Sequence, residues 1–225
     1  MSRRTAMQQF ARWHIWLGWA VGVPVLLWLA SGLLMTLRPI EEVRGEHLRR
    51  AAPPVVAEGL TFPTFTGTVS KVALMDQAGR ATWVVTDPTG QPRRYDARSG
   101  SALGPVAVNE ARVLASSAFA GDASLIALRR FSADAAPLDL RRARPSWLAS
   151  FADGTRLYLD ADSGEVLAVR TRWWRIYDFA WGLHIMDLQT REDTSHPWLW
   201  TFGGIALVSG LFGTVLLFRR RKSAR

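Results

Sequence analysis

Residues 144–167 read RPSWLASFADGTRLYLDADSGEVL, and residues 80–103 read RATWVVTDPTGQPRRYDARSGSAL. The two stretches align without a gap at an offset of 64 residues. The matched positions hold the same residue in both stretches and pair Arg80 with Arg144, Trp83 with Trp147, Gly90 with Gly154, Asp96 with Asp160, Ala97 with Ala161, Ser99 with Ser163, Gly100 with Gly164, and Leu103 with Leu167. Because several of these are rare residue types, we predict that the chain contains two copies of one small unit.

Each copy is predicted to fold as strand, turn, strand and turn. Residues 147–151 mix aromatic and aliphatic side chains at strand length, and Asp153-Gly154 is a strong hairpin signal. Residues 156–159 are then the return strand, and residues 162–164 turn the chain again. The first copy matches this pattern, with residues 87–90 as its turn.

A helix is predicted between the copies, over residues 108–119. The stretch is rich in alanine and has neither glycine nor proline. Asn109 is the expected N-cap, and Val113, Leu114 and Ala118 fall on one predicted apolar face. The sequence therefore predicts an α+β domain in which antiparallel strands pack on one or two helices.

Long uncharged runs lie near both ends of the chain, at residues 15–37 and 197–218. About 20 helical residues cross a hydrocarbon core of roughly 30 Å. We therefore predict transmembrane helices over residues 13–38 and 197–218. The first apolar run is longer than the core of a cleaved signal peptide, and no A-x-A-like cleavage site follows it, so we expect an uncleaved anchor.

The net charge of +9 has its main concentrations beside these runs. The flanking basic residues are Arg3, Arg4 and Arg12 before the first run, and Arg219, Arg220, Arg221, Lys222 and Arg225 after the second. Such flanks are retained in the cytoplasm. Residues 1–12 and 219–225 are thus predicted to be cytoplasmic, and residues 39–172 to form a domain on the other side of the bilayer.

Several classes of function lack sequence support. No nucleic-acid-binding motif accompanies the basic residues, so the lipid bilayer is the expected partner of the positive charge. The chain has no cysteine, which excludes disulfides, thiolate metal sites and a cysteine nucleophile. Hydrolase, zinc-protease and nucleotide-binding motifs are also missing, so we expect no catalytic activity from this chain alone.

Small residues recur at spacings of four in both predicted spans. Gly18 and Gly22 form a G-x-x-x-G pair, and Ser209 and Gly213 form a similar pair. This spacing lets another helix approach closely, which predicts that the spans pack on each other or on a partner. The alternative is that glycine is simply common in membrane helices.

Residues 173–196, between the domain and the second span, are predicted to lie in the non-cytoplasmic interface of the bilayer that the spans cross. Residues 177–188 contain an aromatic and aliphatic stripe and are expected to form an amphipathic helix. Asp178 and Asp187 would lie on or near its water-facing side. The polar run 189–195 is expected to turn the chain into the last helix.

Three parts of the chain, namely the second copy, residues 12–18 and residues 183–187, resemble the PepSY family and in particular its membrane-anchored branch. The second copy is similar to the PepSY ending, in which a strand with Tyr158 and Asp160 precedes Ser163-Gly164 and a final Val-Leu. Residues 12–18 resemble the family's first helix, and residues 183–187 resemble its Leu-His motif before the last helix.

The resemblance implies a bacterial inner-membrane protein with both termini in the cytoplasm and a periplasmic domain built from two PepSY-like copies. Some PepSY modules are associated with the inhibition or regulation of peptidases. Some larger members are haem-binding reductases of ferric siderophores that use membrane histidines as ligands. This chain has two predicted spans, whereas those members have four or more.

His14, His184 and His196 are the candidate haem ligands under this resemblance. His14 is expected at the cytoplasmic mouth of the first span and His196 at the outer mouth of the second, so roughly 30 Å would separate them. His14 could instead pair with a second copy or another subunit, and His184 could meet His196 at the outer surface. The alternative is that these histidines only bond lipid or backbone. A metal site that also uses Asp178 and Asp187 shows no standard spacing.

The function expected from the sequence is non-catalytic binding or regulation of a partner by the outer domain. The partner would be a membrane or periplasmic protein, or a second copy of this chain. The alternative is a haem-b electron-transfer component of a ferric-siderophore reductase system for iron transport. A structural subunit of a larger complex is a third possibility.

Overall fold

The computed structural model describes residues 3–223, and it describes side chains from residue 6 to residue 218. The side chains of the basic flanks at Arg3, Arg4 and 219–225 therefore lie outside the described residues. The chain divides into two compact units, one made of Met1–Arg38 with Ile176–Arg225, and the other of Pro39–Arg175.

Two long helices form the first unit and pack on each other. Helix α1 spans Arg3–Met35 and helix α5 spans Pro197–Ser223. Within them, Ala6–Met35 and Pro197–Phe218 are long and apolar enough to cross a membrane. Only 11% and 6% of their most apolar windows are buried, whereas the core helix of a soluble protein is mostly buried. Both helices are thus compatible with membrane spans, and α1 begins ten residues before the expected boundary at residue 13.

Helix α4, Arg172–His184, lies where the two units divide. The amphipathic helix predicted over residues 177–188 thus begins earlier and ends four residues earlier than expected. It ends there because Met186 adopts a left-handed conformation with φ 58°. The amide of Asp187 then donates to the Gly182 carbonyl at 2.9 Å, and that of Met186 to the Leu183 carbonyl at 3.2 Å. This pattern is a Schellman motif, which stops a helix.

The second unit contains two four-stranded antiparallel sheets, each with its strands in sequence order. The fold is therefore α+β, as predicted. The strands of the first sheet are β1 Lys71–Gln77, β2 Arg80–Thr86, β3 Pro92–Asp96 and β4 Ala102–Leu103. Those of the second are β5 Leu125–Phe131, β6 Ser146–Phe151, β7 Arg156–Asp160 and β8 Val166–Arg170. The unit also contains helix α3, Val108–Ala118, and three short helical segments, namely α2 Ile40–Val43 and the 3₁₀ turns Glu46–Leu48 and Leu138–Leu140.

The matched sequence positions make corresponding contacts in the two sheets. Arg80 faces Asp96 at 4.0 Å, and Arg144 bonds Asp160 at 2.6 Å. Each aspartate also accepts hydrogen bonds from the backbone amides two and three residues later. The predicted strand, turn and strand therefore form in both stretches. The structure adds one strand before each stretch, β1 and β5, which the sequence analysis did not predict.

Helix α3, Val108–Ala118, packs on the second sheet. Its buried face consists of Ala111, Leu114 and Ala115, whereas Val113 is 54% exposed. The expected apolar face was therefore wrong at Val113, because the buried positions follow the i, i+3, i+4 pattern from Ala111. The N-cap expected at Asn109 was also wrong, since the helix begins at Val108 without a side-chain cap.

Candidate functional site

The two matched tryptophans hold chain segments that lie outside the sheets. Trp83 Nε1 donates to the Thr61 carbonyl at 3.0 Å, and Trp147 Nε1 donates to the Val106 carbonyl at 2.9 Å. The amides of Thr61 and Val106 donate in turn, each at 2.8 Å, to the carbonyl of the alanine that follows the matched aspartate. Each segment residue is thus bound through both of its backbone polar groups. This contact explains why tryptophan recurs at these two positions.

The matched glycines lie at turns where the backbone has positive φ. Gly90 and Gly154 both have φ 84°, and Gly100 and Gly164 have φ 72° and 76°. Gly164 is also confined by its neighbours, since a Cβ there would lie 2.8 Å from Gln77 Nε2. Glycine is required at this turn because an L side chain would be strained in conformation and would also clash.

A polar network joins the first sheet to the second sheet and to α3. Gln77 on β1 donates to the Ser163 carbonyl at 2.6 Å and accepts from Arg94 at 2.9 Å. Arg94 also donates two hydrogen bonds to Glu110 on α3, at 2.7 and 3.0 Å, and two to the Gly104 carbonyl. The Arg94 guanidinium lowers the pKa of the Glu110 carboxyl below its ordinary value. The buried arginine therefore has compensating partners, which fixes the two sheets and the helix together.

A groove of about 630 Å³ lies beside this network. Its walls come from residues 49–53, from residues 75–79 at the end of β1 and the turn after it, and from residues 164–167 at the start of β8. Its buried lining side chains are Leu114 from α3, Leu159 from β7 and Gln77 from β1. The two leucines form an apolar base beside the amide of Gln77, and two strands border the groove.

Both bordering strands are edges of their sheets. The strand orders place β1 and β8 outermost, and no further strand pairs with either within residues 3–223. The register between β7 and β8 shifts so that Tyr158 faces Ala168 while Leu159 faces Val166. Leu167 is therefore an extra residue, a β-bulge, at the groove wall. Edge strands with unpaired amides and carbonyls are templates for an added strand, and bulges are frequent beside functional sites.

Three arginines line the groove, namely Arg49, Arg50 and Arg142, and all three are exposed. None of them makes an ion pair with an acidic side chain in the part of the chain described. The groove's acidic side chains already have contacts, since Asp76 accepts from the Gly79 amide at 2.9 Å and Glu165 lies 3.8 Å from Lys71. These arginines had no predicted role, because only the fold brings residues 49–50 and 142 to one groove.

In the helical unit, His14 lies against the inner face of α5. Its Nδ1 is 2.9 Å from the Ser209 backbone carbonyl and 3.2 Å from the Ser209 hydroxyl. A Cβ at Gly213 would lie 3.0 Å from the ring, so glycine allows this approach. Counted from Phe218, Ser209 lies nine residues, or about 13 Å, inside the candidate span. The expectation that His14 lies at the cytoplasmic mouth of a span stays a prediction, and the structure places its ring alongside Ser209.

His184, at the end of α4, packs on the opposite end of α1. Its ring stacks on Trp28 with centroids 4.7 Å apart. Its Nδ1 lies 3.1 Å from both the Trp28 carbonyl and the Ser31 hydroxyl. Ser31 itself donates to the Trp28 carbonyl at 2.9 Å, so its oxygen is left to accept from the histidine. A Cβ at Gly32 would be 3.2 Å from the ring.

Neither Asp178 nor Asp187 is water-facing as expected, since each is only 6% exposed. Arg191 donates to Asp178 at 2.5 Å. Asp187 accepts from the Thr190 hydroxyl and from backbone amides of residues 189, 190, 192 and 193, and these bonds lower the pKa of its carboxyl. Their burial is possible because these partners replace water. The polar run 189–195 thus forms a turn folded around Asp187, as its position before α5 predicted.

The remaining predicted site residues do not join these contacts. His196 has a buried Nδ1 without a hydrogen-bond partner among the described residues. A Cβ at Gly18 or Gly22 would meet nothing within 4 Å inside the described chain, so packing there stays a prediction for a partner. Ser209 and Gly213, by contrast, lie between α1 and α5. No group of three or more histidine and acidic side chains in metal-binding geometry occurs among the described residues.

No family model, curated protein or solved structure matches this chain. The resemblance to the PepSY family therefore rests on the sequence motifs alone.

Proposed function

We propose that this chain is a bacterial inner-membrane protein of the PepSY type, with cytoplasmic termini and a periplasmic domain of two related copies. In this proposal, α1 and α5 anchor the protein and the domain binds a protein partner without catalysis. Support comes from the long apolar helices, from the order of the sequence motifs, and from the corresponding contacts of Trp83 and Trp147. The basic flanks support the cytoplasmic location of both termini.

The groove between β1 and β8 is the observation on which partner binding rests. It offers two unpaired strand edges together with an apolar base, which is the combination used when an extended peptide adds to a sheet. Main-chain hydrogen bonds would give affinity, and side chains alternating along the peptide would enter the groove. The proposed function is therefore recognition of an extended segment of another polypeptide.

Photo-crosslinking from adjacent positions on α3 tests this proposal. Both serines are exposed, and Ser117 lines the groove whereas its neighbour Ser116 does not. Benzoylphenylalanine at Ser117 should crosslink a distinct polypeptide in intact cells, and the same group at Ser116 should not. The product should disappear when Ala118→Trp narrows the groove. Equal crosslinking from both positions, or its persistence after Ala118→Trp, would contradict recognition in the groove.

A second candidate function is haem-linked electron transfer, and the hydrogen bonds of two histidines favour it. A carbonyl oxygen can only accept, so the Nδ1 atoms of His14 and His184 must both carry the proton. In the neutral ring, Nε2 is then left with its lone pair. A histidine oriented by an Nδ1–H bond to a backbone carbonyl is the usual form of a metal ligand.

The same geometry limits how haem could bind. His14 contacts Ser209, while His184 contacts Ser31, which lies 17 residues or about 25 Å farther along α1. The two histidines therefore cannot share one iron. Either ring could hold a haem through its Nε2, and haem would supply one-electron chemistry there.

The reduced-minus-oxidised absorption spectrum of the purified full chain, produced with adequate haem, tests this candidate. A b-type signal that is lost in His14→Ala or His184→Ala but kept in His47→Ala would support it. His47 is a suitable control because it lies in the exposed 3₁₀ turn Glu46–Leu48 of the other unit. A flat spectrum from folded protein would exclude haem binding by this chain alone.

A further inference from the structure

We propose that the groove between β1 and β8 selects an extended peptide in which apolar and acidic residues alternate. This inference rests on the proposed function of the groove and specifies the chemistry of its ligand. It follows from two features of the groove, its charge and the depth of its apolar residues.

The first feature is the group of arginines without acidic partners. Arg49 and Arg50 come from the segment before the first sheet, and Arg142 comes from the loop between β5 and β6. Three guanidinium groups from separate parts of the chain thus meet at one opening. Carboxylates are the complementary ligands, because guanidinium donors match them in both charge and geometry.

The acidic side chains in the groove do not remove this preference. The Asp76 carboxylate closes the turn after β1 by accepting from the Gly79 amide, and the Glu165 carboxylate lies beside Lys71. Both carboxylates keep their charge, but the lining holds three arginines against these two carboxylates, which leaves an excess of one positive charge. Each arginine is in turn free of acidic partners in the described part of the chain, so an acidic ligand would meet donors that the protein itself does not use.

The second feature is the buried apolar base beneath the arginines. Leu114 and Leu159 belong to one buried cluster and are 5% and 0% exposed, whereas Leu167 at the bulge packs on a separate cluster with Leu140, Leu148 and Tyr158. Successive side chains of an extended peptide point to opposite faces. A peptide along β8 would therefore direct alternate residues to the leucines and the intervening ones to the arginines. Residues 75–79 form one wall of the groove and residues 164–167 the other, and Val166 and Leu167 are the β8 residues among them. An extended peptide of about six residues, roughly 20 Å long, would span both walls.

Fluorescence anisotropy with defined peptides tests this inference on the full chain in detergent. The probe is a six-residue peptide of alternating valine and glutamate with an uncharged dye. Its counterparts carry glutamine or lysine in place of glutamate. The acidic peptide should bind about tenfold more tightly than either counterpart, as expected for a few partly exposed charge pairs. Its affinity should fall with added salt, while that of the glutamine peptide should not.

Reversing the charge of the groove arginines tests whether the preference for glutamate arises at the groove. The double variant Arg50→Glu/Arg142→Glu should lose the preference for glutamate and bind the lysine peptide better. The matched control Arg98→Glu/Arg112→Glu changes charge equally at exposed arginines outside the groove and should keep the preference within about twofold.

The outcomes separate this inference from the function on which it rests. Equal binding of all three peptides, still sensitive to Ala118→Trp, would overturn the acidic preference and leave recognition in the groove intact. Equal loss of binding in both double variants would also overturn it, since a general field effect would then explain the result. Binding of none of the peptides would overturn the inference, and the crosslinking from Ser117 would then decide the proposed function separately.

Discussion

Replacing Glu110 should show how much the ion pair between Arg94 of the first sheet and Glu110 of α3 stabilises the domain. The Arg94 side chain is only 2% exposed, while that of Glu110 is 28% exposed. Breaking a buried ion pair by removing one partner costs about 3–5 kcal/mol. Here the cost should be smaller, because water can reach the site and because Arg94 keeps its bonds to Gln77 and Gly104. We expect Glu110→Ala to lower the free energy of unfolding by about 2 kcal/mol.

Urea titration of the full chain in a mild detergent, read by pulse proteolysis of the domain, measures this loss. Glu58→Ala is the matched control, because Glu58 is exposed in the segment before the first sheet. A loss for Glu110→Ala below about 0.5 kcal/mol, or equal to that of Glu58→Ala, would refute the reasoning. In that case the Arg94 charge would be compensated by its neutral partners alone.

The same ion pair predicts a dependence on pH. The pKa of Glu110 is lowered in the folded state from an ordinary value of 4.5. Its contribution is therefore present above about pH 4.5 and is lost as the pH falls through the lower, folded-state pKa. Glu110→Gln cannot titrate, so its stability should fall less steeply between pH 5 and pH 3 than that of the unchanged protein.

Three further changes test the contacts described above. Trp147→Phe should lower the free energy of unfolding by about 1–2 kcal/mol, because it leaves the buried Val106 carbonyl unpaired. Trp83→Phe should lower it less, because the hydrogen bond that it removes is exposed, and urea titration compares the two variants. Gly164→Ala should cost at least about 2 kcal/mol from positive φ and a clash, whereas Gly104→Ala, without either, should be nearly neutral in the same assay. Asp187→Asn should speed hydrogen exchange of the backbone amides at residues 189–193, because it removes the carboxylate that accepts from them. In the unchanged protein the same protection should be lost only at acidic pH, since the folded state lowers the pKa of the Asp187 carboxyl.

The parts of the fold that depend on local sequence were predictable. Strand β7 and the turns at Asp153-Gly154 and 162–164 follow from turn chemistry and short-range patterning. Strands β1 and β5 were missed because neither belongs to the matched stretches and β5 lacks a regular alternation of exposed and buried residues. Their place in a sheet is set by long-range pairing, which local pattern does not reveal.

Side-chain environments were less predictable than secondary structure. Asp178 and Asp187 were expected to face water because carboxylates are usually exposed. Their burial depends on Arg191 and on a loop whose amides converge on one carboxylate, and these are tertiary contacts. The groove was missed for the same reason, since the arginines at 49, 50 and 142 are distant in sequence.

The contact between His14 and Ser209 also has a consequence for how the two long helices meet. Surfaces that are apolar on every side give two helices little to distinguish one mutual rotation from another. The ring beside Gly213 breaks that equivalence, because sliding α5 by one turn, about 5.4 Å, would move the Ser209 carbonyl and hydroxyl away from the imidazole. The contact of His14 with Ser209, together with the rings of Phe10 and Trp13 against Phe212, thus favours one rotation and one offset of the two helices along their length.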